Sequence, residues 1–473
     1  MSVLQNGNLK SFNLDGLVDT DTGVISREIF VNEKIFEMEL ENLFSRAWLF
    51  VGHESQIPNP GDYFMSRMGT DTVLMTRDND GEVHVLLNSC RHRGMRVCRY
   101  DSGNTMTFTC PFHGWAYSVD GRLVSRAGEL FGVPKLKAAY NGKLEREKWG
   151  LVEATSKNYK GMIFATWDSE APPFEEYVGG FKHWIDNLTD GMTGRPGNTV
   201  AFDGVLKWRV PANWKLVVEN FLGDGYHATP THPSVEAVGI GPAGKGKTRH
   251  FFDAETEAFA TKNLPMTSFV QLGHGATDTT HSDQFWGRPP AFADHPEFTE
   301  YFNNLWDEKR KLRLEAGLPM GGFGPATMFP SMSFHALGFP TTILVAHPVS
   351  ATVTEIWRWF VVDKDMRPDA REWLRHYYLR YSGPAGMTEQ DDMENWNYAT
   401  RASEGAMARR LPYNYQIGLG QTQPSPLPGA VESEGFFTEE HMRNYYRRWQ
   451  NLVEGKSWSE LAATPAPAGH TGG

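Results

Sequence analysis

The chain runs to 473 residues, more than one hydrophobic core usually serves, so at least two domains are expected. Its 46 Lys and Arg against 57 Asp and Glu leave a net charge of -11, which argues against nucleic acid or an anionic membrane as the main partner and leaves small molecules and other proteins. Three cysteines, Cys90, Cys98 and Cys110, make no disulfide framework, no apolar run reaches the roughly 18 residues of a membrane span, and Met1 to Thr20 lacks a basic-then-apolar leader, so a cytoplasmic chain is expected.

After a polar start, Val31 to Val51 carries Ile35, Phe36, Met38, Leu40, Leu43, Phe44 and Trp48 near helical spacing, with Asn32 as N-cap, and predicts one amphipathic helix. From about Asp62 the pattern changes to short alternating runs. Strands are expected at Thr72 to Arg77, Glu82 to Asn88, Thr105 to Thr109 and Met162 to Trp167, with turns at Asp78-Asn79-Asp80-Gly81 and Asp120-Gly121. Together they make a small β domain. Glu170-Ala171-Pro172-Pro173 closes it, because consecutive prolines stop helix and sheet alike. Beyond lie a strand near Gly204 to Val210, a helix from Trp214, paired strands at Thr341 to Ala346 and Thr352 to Val362, and helices near Pro368 to Tyr381 and Thr438 to Leu452. This mixture predicts an α+β second domain. Ala316 to Pro330 reads as a long Gly-rich loop, and the stretch around Thr464 to Gly469 as a disordered tail.

Cys90-Arg91-His92 and Cys110-Pro111-Phe112-His113 form C-x-H and C-x-x-H arms, each with one thiolate and one imidazole. An ordinary zinc finger pairs Cys with Cys and His with His, and C-x-H is too tight for it. A Rieske [2Fe-2S] cluster takes two Cys on one iron and two His on the other, so two neighbouring loops giving one of each suit it. Gly94 and Gly114 follow the histidines and can let backbone NH groups approach the bridging sulfurs. Zinc stays open as an alternative. Cys98 belongs to neither arm and reads as a small buried thiol.

A second constellation lies in Glu219 to His232, where His227 and His232 stand five apart, a spacing that turns two rings about 140° from each other on an ideal helix. Pro230 is expected to break that helix and swing His232 toward a metal held by His227. Asn220, Asp224 and His227, at i, i+4 and i+7, are expected on one helix face. Two His and one carboxylate form the facial triad of non-haem Fe(II) oxygenases, which leaves positions for O₂ and substrate. The carboxylate is sought in Glu389-Gln390-Asp391-Asp392-Met393-Glu394, where spacing does not choose between Asp391 and Asp392 and a solvated helix start is the other reading.

With both motifs in view, the chain resembles the alpha (large) subunits of bacterial Rieske non-haem iron aromatic-ring-hydroxylating dioxygenases, in the naphthalene, biphenyl and polycyclic-hydrocarbon branch. The likeness runs from Ser26-Arg27-Glu28-Ile29-Phe30 through Trp48-Leu49-Phe50-Val51-Gly52-His53-Glu54-Ser55 and Cys90-Arg91-His92-Arg93-Gly94 to Arg443-Asn444-Tyr445. It implies that Cys90, His92, Cys110 and His113 bind one [2Fe-2S] cluster, and that His227, His232 and Asp392 bind one mononuclear Fe(II), with Asp391 a neighbour. It also implies that Asp224 links the iron-site helix to His113 of an adjacent subunit. The implied layout is an N-terminal segment and helix at 1–46, a Rieske β domain at 47–168, a catalytic domain with a large antiparallel sheet covered by helices at 169–455, and a tail at 456–473.

The resemblance implies partners too: a small beta subunit in an alpha3beta3 assembly, a ferredoxin, an NAD(P)H-dependent reductase, O₂ and an aromatic substrate. The implied reaction adds both oxygen atoms to adjacent ring carbons and yields a cis-dihydrodiol. Asn220 and Phe221 are expected to line the pocket. Ser382 and Thr388 stand where naphthalene-type relatives carry aromatic residues, which widens that wall or adds a hydrogen bond and points to a larger polycyclic substrate or an aromatic acid. A phthalate-type dioxygenase and a monooxygenase or demethylase on the same scaffold need the same ligands and stay open. A mere electron carrier would need only about the first 165 residues.

Overall fold

The computed structural model describes residues 12–124, 136–238, 266–277, 295–316, 324–336, 341–425, 427–433, 435 and 437–463. Two compact units result, one of Phe44–Ala171 and one of Met1–Leu43 with Pro172–Gly473. The division falls within the Glu170 to Pro173 stretch.

In the smaller unit the strands are β1 (Leu49–His53), β2 (Asp62–Met68), β3 (Asp71–Arg77), β4 (Val83–Leu87), β5 (Ser102–Asn104), β6 (Thr107–Thr109), β7 (Ala116–Ser118), β8 (Leu123–Val124), β9 (Thr155–Tyr159) and β10 (Met162–Thr166). They pair antiparallel in three sheets, ordered β9-β10-β1, β8-β7-β6 and β4-β3-β2-β5. Leu74, Leu86, Phe108, Tyr117 and Leu123 are buried in its core. The expected turn at 78–81 forms because Asp78 Oδ1 accepts from the NH groups of Asp80 and Glu82, both at 2.9 Å, while Gly81 takes φ +87°.

The single helix expected over Val31 to Val51 is corrected. Asn32 does cap it, its Oδ1 accepting from Lys34 NH at 2.9 Å, but regular helix covers Glu33–Glu39 (α1), and after a wide turn at Leu40–Phe44 the chain enters β1. All five residues of β1 are buried. A continuous apolar run carries no period, so helical spacing extrapolated from Ile35 to Trp48 could not see the switch.

The larger unit is built on β11 (Thr199–Val210), β12 (Met266–Phe269), β13 (His274–Thr277), β14 (Gly324–Met328), β15 (Met332–Ala336), β16 (Thr342–Ser350), β17 (Val353–Asp363), β18 (Thr422–Pro424) and β19 (Ala430–Ser433). Among the described residues they form one nine-stranded sheet in the order β11-β17-β16-β15-β14-β13-β12-β19-β18. Its pairings are antiparallel, the longest being β11 with β17 and β16 with β17. The helices are α2 (Lys182–Asp190), α3 (Trp214–Leu222), α4 (Pro296–Glu315), α5 (Pro368–Tyr381), α6 (Met387–Glu404) and α7 (Glu440–Val453). The expected loop at Ala316 to Pro330 is corrected where it is described: Gly324–Met328 is strand β14, paired with β13 and β15. Ala326, Thr327 and Met328 are buried there, so sheet pairing overrides the loop signal of the glycines before them. Residues 317–323 of that stretch lie outside the described residues. The expected tail at 456–473 contains a short helix, Trp458–Ala463, and its remainder, 464–473, also lies outside them.

A buried ion pair ties α1, α3 and α7 together. Lys215 Nζ donates to Glu39, which also accepts from Trp214 Nε1 and Trp449 Nε1, both at 2.8 Å. Glu39 and Lys215 are closed to solvent. Because every carboxylate contact is made, the pair is tolerable; removing one partner would strand a charge at a cost of about 3–5 kcal/mol.

Candidate metal centres

The two Cys/His arms are two copies of one loop. Cys90 NH donates to Met95 carbonyl (2.8 Å) and Gly94 NH to Cys90 carbonyl (2.8 Å); Cys110 NH donates to Trp115 carbonyl (2.7 Å) and Gly114 NH to Cys110 carbonyl (3.0 Å). Gly94 and Gly114 sit at φ +73° and +74°, where glycine carries no steric penalty. Their own NH groups close the loops on the Cys carbonyls. Sulfur contacts come from elsewhere. Tyr117 Oη lies 3.3 Å from Cys90 Sγ and accepts from Arg91 NH at 3.0 Å. Burial pushes the Cys110 thiol up, opposed by the NH groups of Phe112 and His113.

Both thiols are buried, and His92 Nδ1 lies 3.1 Å from His113 Nδ1, with the His92 ring stacked on Trp115 at 5.2 Å. Burial, then the facing His113, pushes His92 down and favours the neutral imidazole that a metal requires. Two facing Nδ1 atoms beside two buried thiols fit the donor set of a [2Fe-2S] group of Rieske type. Cys98 stays apart, its Sγ 3.6 Å from Tyr100 carbonyl, in a loop that Asn88 clamps by accepting from the NH groups of Val97 and Cys98.

The second site is assembled from two segments far apart in sequence. Helix α3 starts at Asn213, whose side chain caps Lys215 NH at 2.9 Å, and ends at Gly223 with φ +139°. That backbone angle calls for glycine, while Met266 Cε, 1.9 Å from where a Cβ would fall, is the end of a flexible side chain that can move. A 3-10 turn at Gly225–His227 and two short helical pieces, Ala228–Thr231 and Pro233–Ala237, follow. The shared helix face expected for Asn220, Asp224 and His227 is therefore corrected, since the helix stops between Asn220 and Asp224. So is the role of Pro230, which lies inside Ala228–Thr231. The turn that frees His232 comes between the two pieces, with Pro233 opening the second, a position where its missing NH costs nothing. From the other side, α6 buries Glu389, Asp392, Trp396, Thr400 and Ser403, a stripe at helical spacing, and this delivers Asp392.

His227 Nε2, His232 Nε2 and Asp392 Oδ1 converge, at 3.3 Å between the imidazoles and 3.4 and 3.3 Å to the carboxylate. The far nitrogens fix the protons. His227 Nδ1 donates to Asp224 carbonyl, and His232 Nδ1 donates to Asp391 Oδ2 at 3.3 Å, which also accepts from Ser234 Oγ at 3.0 Å. With both Nδ1 atoms donating elsewhere, the two Nε2 atoms turn toward each other and toward a carboxylate oxygen that has no hydrogen-bond partner in good geometry. Burial pushes Asp392 up, yet hydrogen bonds from His227 and His232 outweigh it and hold the acid at about 2. Burial likewise opposes charge on His227, yet Asp224 and Asp392 outweigh it and push that imidazole up, so a cation that binds here replaces a proton held between these groups. Three converging ligand atoms suit a cation, and the two-His, one-carboxylate set fits mononuclear Fe(II). Asp391 supports the site without joining it.

Of the other expected site residues, Asp224 is half-buried, with Oδ2 3.7 Å from His227 Nδ1 and Oδ1 unpartnered. Phe221 is buried with its ring edge-on to His335 at 5.7 Å, and Asn220 beside it is half-buried. Ser382 is buried at the end of α5, and Thr388 donates its hydroxyl to Tyr381 carbonyl, so that side chain is engaged in closing its own loop. Sequence reasoning missed Tyr117, Ser234 and His335. None lies in a spaced motif; a lone His alternating with apolar residues in a strand was the one available signal for His335.

A family model for the ring hydroxylating alpha subunit (catalytic domain) matches residues 197–455, and one for the Rieske [2Fe-2S] domain matches 47–130. The chain is 37% identical over 458 residues to the biphenyl 2,3-dioxygenase subunit alpha of Rhodococcus jostii (strain RHA1), covering 95% of this chain and 93% of the relative. It is 35% identical over 470 residues to the biphenyl dioxygenase subunit alpha of Paraburkholderia xenovorans (strain LB400), covering 94% of each. A solved structure of naphthalene 1,2-dioxygenase with indole in the active site superposes with a TM-score of 0.80 at 28% identity, covering 95% of this chain and 96% of that one. No helix among the described residues is long and apolar enough to cross a membrane. On these matches and on the His227, His232 and Asp392 triad, the chain belongs to the alpha subunits of Rieske non-haem iron ring-hydroxylating dioxygenases, as a terminal oxygenase acting on aromatic substrates.

Proposed function

We propose that this alpha subunit adds both atoms of O₂ to adjacent carbons of a polycyclic or biaryl substrate, giving a cis-dihydrodiol. The observation that carries the reading is the meeting of three ligand atoms at His227, His232 and Asp392, with Phe221 against Trp396, one helical turn beyond Asp392 on α6. Cys90, His92, Cys110 and His113 would hold the [2Fe-2S] group and the triad the iron. When bound, these supply single electrons and O₂ activation. The chain's own residues do the rest. Asp224 carbonyl and Asp391 orient the two imidazoles so that both Nε2 atoms face the metal position. Asp392, on a buried helix stripe, fixes the third corner, and the aromatic wall at Phe221 and Trp396 favours a flat apolar ring over water.

The relatives' names support a substrate of the biphenyl or naphthalene kind, and family membership supports electron delivery from an NAD(P)H-dependent reductase through a ferredoxin. A small beta subunit in an alpha3beta3 assembly belongs to the same proposal, as does an electron path in which Asp224 meets His113 of the adjacent subunit. So does a cytoplasmic location, which suits thiols held reduced for iron. The test supplies the purified oxygenase with reductase, ferredoxin and ¹⁸O₂, then offers naphthalene, biphenyl and phthalate. Two labelled oxygens in a naphthalene or biphenyl dihydrodiol are expected. A singly labelled or dealkylated product as the main outcome would replace the dioxygenase reading with a monooxygenase one.

A further inference from the structure

The sheet face toward α3 is more polar than a pocket for a bare hydrocarbon requires. Direct cross-strand partners point to one side of a sheet, so Thr327, Ser333, Leu344, Arg358 and Leu206 share a row across β14, β15, β16, β17 and β11. Two residues along, Pro325, His335, Thr342 and Phe360 form the next row on the same face. Phe221 of α3 lies over this face, 5.7 Å from the His335 ring and 5.5 Å from Arg358 Cζ.

Most of these polar groups satisfy one another. Thr327 Oγ1 and Ser333 Oγ are 2.9 Å apart, Arg358 Nη1 donates to Thr342 Oγ1 at 2.9 Å, and Arg358 Nη2 donates to Glu389. His335 does not. Its ring nitrogens meet no hydrogen-bond partner among the described residues. Burial, with Arg358 adding to it, pushes the imidazole down to about 3, so at neutral pH it is uncharged, with one donor and one acceptor. Yet the residue is only half-buried, so it is not sealed in a core. Glu389 and Trp396, one turn to either side of Asp392 on α6, meet Arg358 and Phe221, so His335 lies on the sheet face turned toward the helix that carries the third iron ligand.

We infer that His335 is a specificity-determining residue of this pocket, exchanging a hydrogen bond with a neutral oxygen substituent, a hydroxyl or a carbonyl, on the substrate's aromatic ring. The inference rests on the proposed two-ring substrate and deepens it. A ligand that strips the imidazole of water without replacing the hydrogen bond is penalised, so selectivity arises from what a bare hydrocarbon fails to supply. A carboxylate is the poorer fit: the cation of Arg358 is already answered by Glu389, so a substrate anion would enter with its desolvation cost unmet. Of the two substrate types left open by Ser382 and Thr388, the aromatic acid is thereby disfavoured.

The test uses the assembled oxygenase loaded with cluster and iron, kept anaerobic, with naphthalene, 1-naphthol and 1-naphthoate as ligands in equilibrium binding by calorimetry. In His335→Leu the preference for 1-naphthol over naphthalene should fall about tenfold, the scale of one desolvated hydrogen bond, while naphthalene binds as well or better. His335→Gln, which keeps a donor and an acceptor, should hold the preference within about threefold of the original. An unchanged preference in His335→Leu, or equal weakening of both ligands, would overturn the inference by reducing His335 to a structural role. Tightest binding of 1-naphthoate would overturn the neutral-substituent assignment. If neither two-ring ligand binds or is oxygenated by the unaltered enzyme, the proposed function fails first and the inference with it; oxygenation of both without discrimination sinks the inference alone.

Discussion

The loops at Cys90–Gly94 and Cys110–Gly114 each close on themselves through two backbone hydrogen bonds and one left-handed glycine, whereas His227, His232 and Asp392 meet only because α6 packs against the segment that follows α3. The first plan stores its geometry in a handful of neighbouring residues. The second stores it in the packing of a whole domain, with a helix broken at Gly223 and a polar stripe buried on α6. Local loops tolerate change elsewhere in the chain; a site assembled at long range inherits every shift of the helices that carry it. The two kinds of metal site should therefore fail separately, and each variant below removes something from one while leaving the other as an internal control.

The largest effect belongs to Asp392→Ala. It deletes one of three converging donors, so iron content should fall toward zero and turnover by well over the roughly 10- to 100-fold that loss of a supporting residue brings. Metal analysis and the visible spectrum read the two sites at once. The cluster absorption should stay intact; bleaching of it in this variant would show that the two sites do not fail independently. Next comes Asp391→Asn, which keeps a hydrogen-bond acceptor for His232 Nδ1 but removes its charge. Iron affinity, measured by competition with a chelator, should weaken about 10-fold, at the lower end of the range for such supporting groups. An unaltered affinity would deny Asp391 its orienting role.

What could be read from the chain beforehand follows the same divide. The C-x-H and C-x-x-H arms were legible because ligands and loop geometry sit within a few residues, although the spacing did not reveal that the glycines serve the Cys carbonyls. For the iron site the residue types were legible and the path was not: Pro230 drew attention as the breaker, while Gly223, whose φ of +139° suits glycine, ends the helix. Asp391 and Asp392 were inseparable by spacing; the resemblance chose Asp392, and the buried stripe Glu389, Asp392, Trp396 gives the physical reason. Helices with periodic faces, such as α5 and α7, stood almost where expected. Strands β1 and β14, whose assignment depends on partners far along the chain, did not.

A subtler change tests the local plan from within. Tyr117→Phe removes the hydroxyl near Cys90 Sγ and the acceptor for Arg91 NH, but keeps the buried ring. A hydrogen bond to a cluster sulfur favours the reduced, more negative state, so its loss should move the reduction potential downward. Protein electrochemistry should record that shift with iron content and substrate binding unchanged. A potential identical to that of the unaltered protein would mean that the hydroxyl does not reach the sulfur of the loaded cluster.

The smallest expected effect lies away from both metals, in the scaffold that holds the loops. On β4, His84 bridges Asp78 and Glu153, at 3.2 Å through Nε2 and 2.7 Å through Nδ1. The Glu153 hydrogen bond, with help from Asp78 and against burial, pushes its imidazole up to about 9 from an ordinary 6.5. A raised folded-state value means that the charged bridge contributes fully below about pH 6.5 and is lost as pH rises through about 9. Glu153 is half exposed, so solvent screening cuts the contribution to about 1 kcal/mol. His84→Gln should therefore cost about that much stability at pH 6 and almost nothing at pH 9.5, read from denaturant unfolding followed by the visible absorption of the cluster. A cost that stays constant over this interval would trace the loss to packing on β4 rather than to charge. In either case the iron site in the other unit should keep its affinity, since nothing in its ligand set passes through His84.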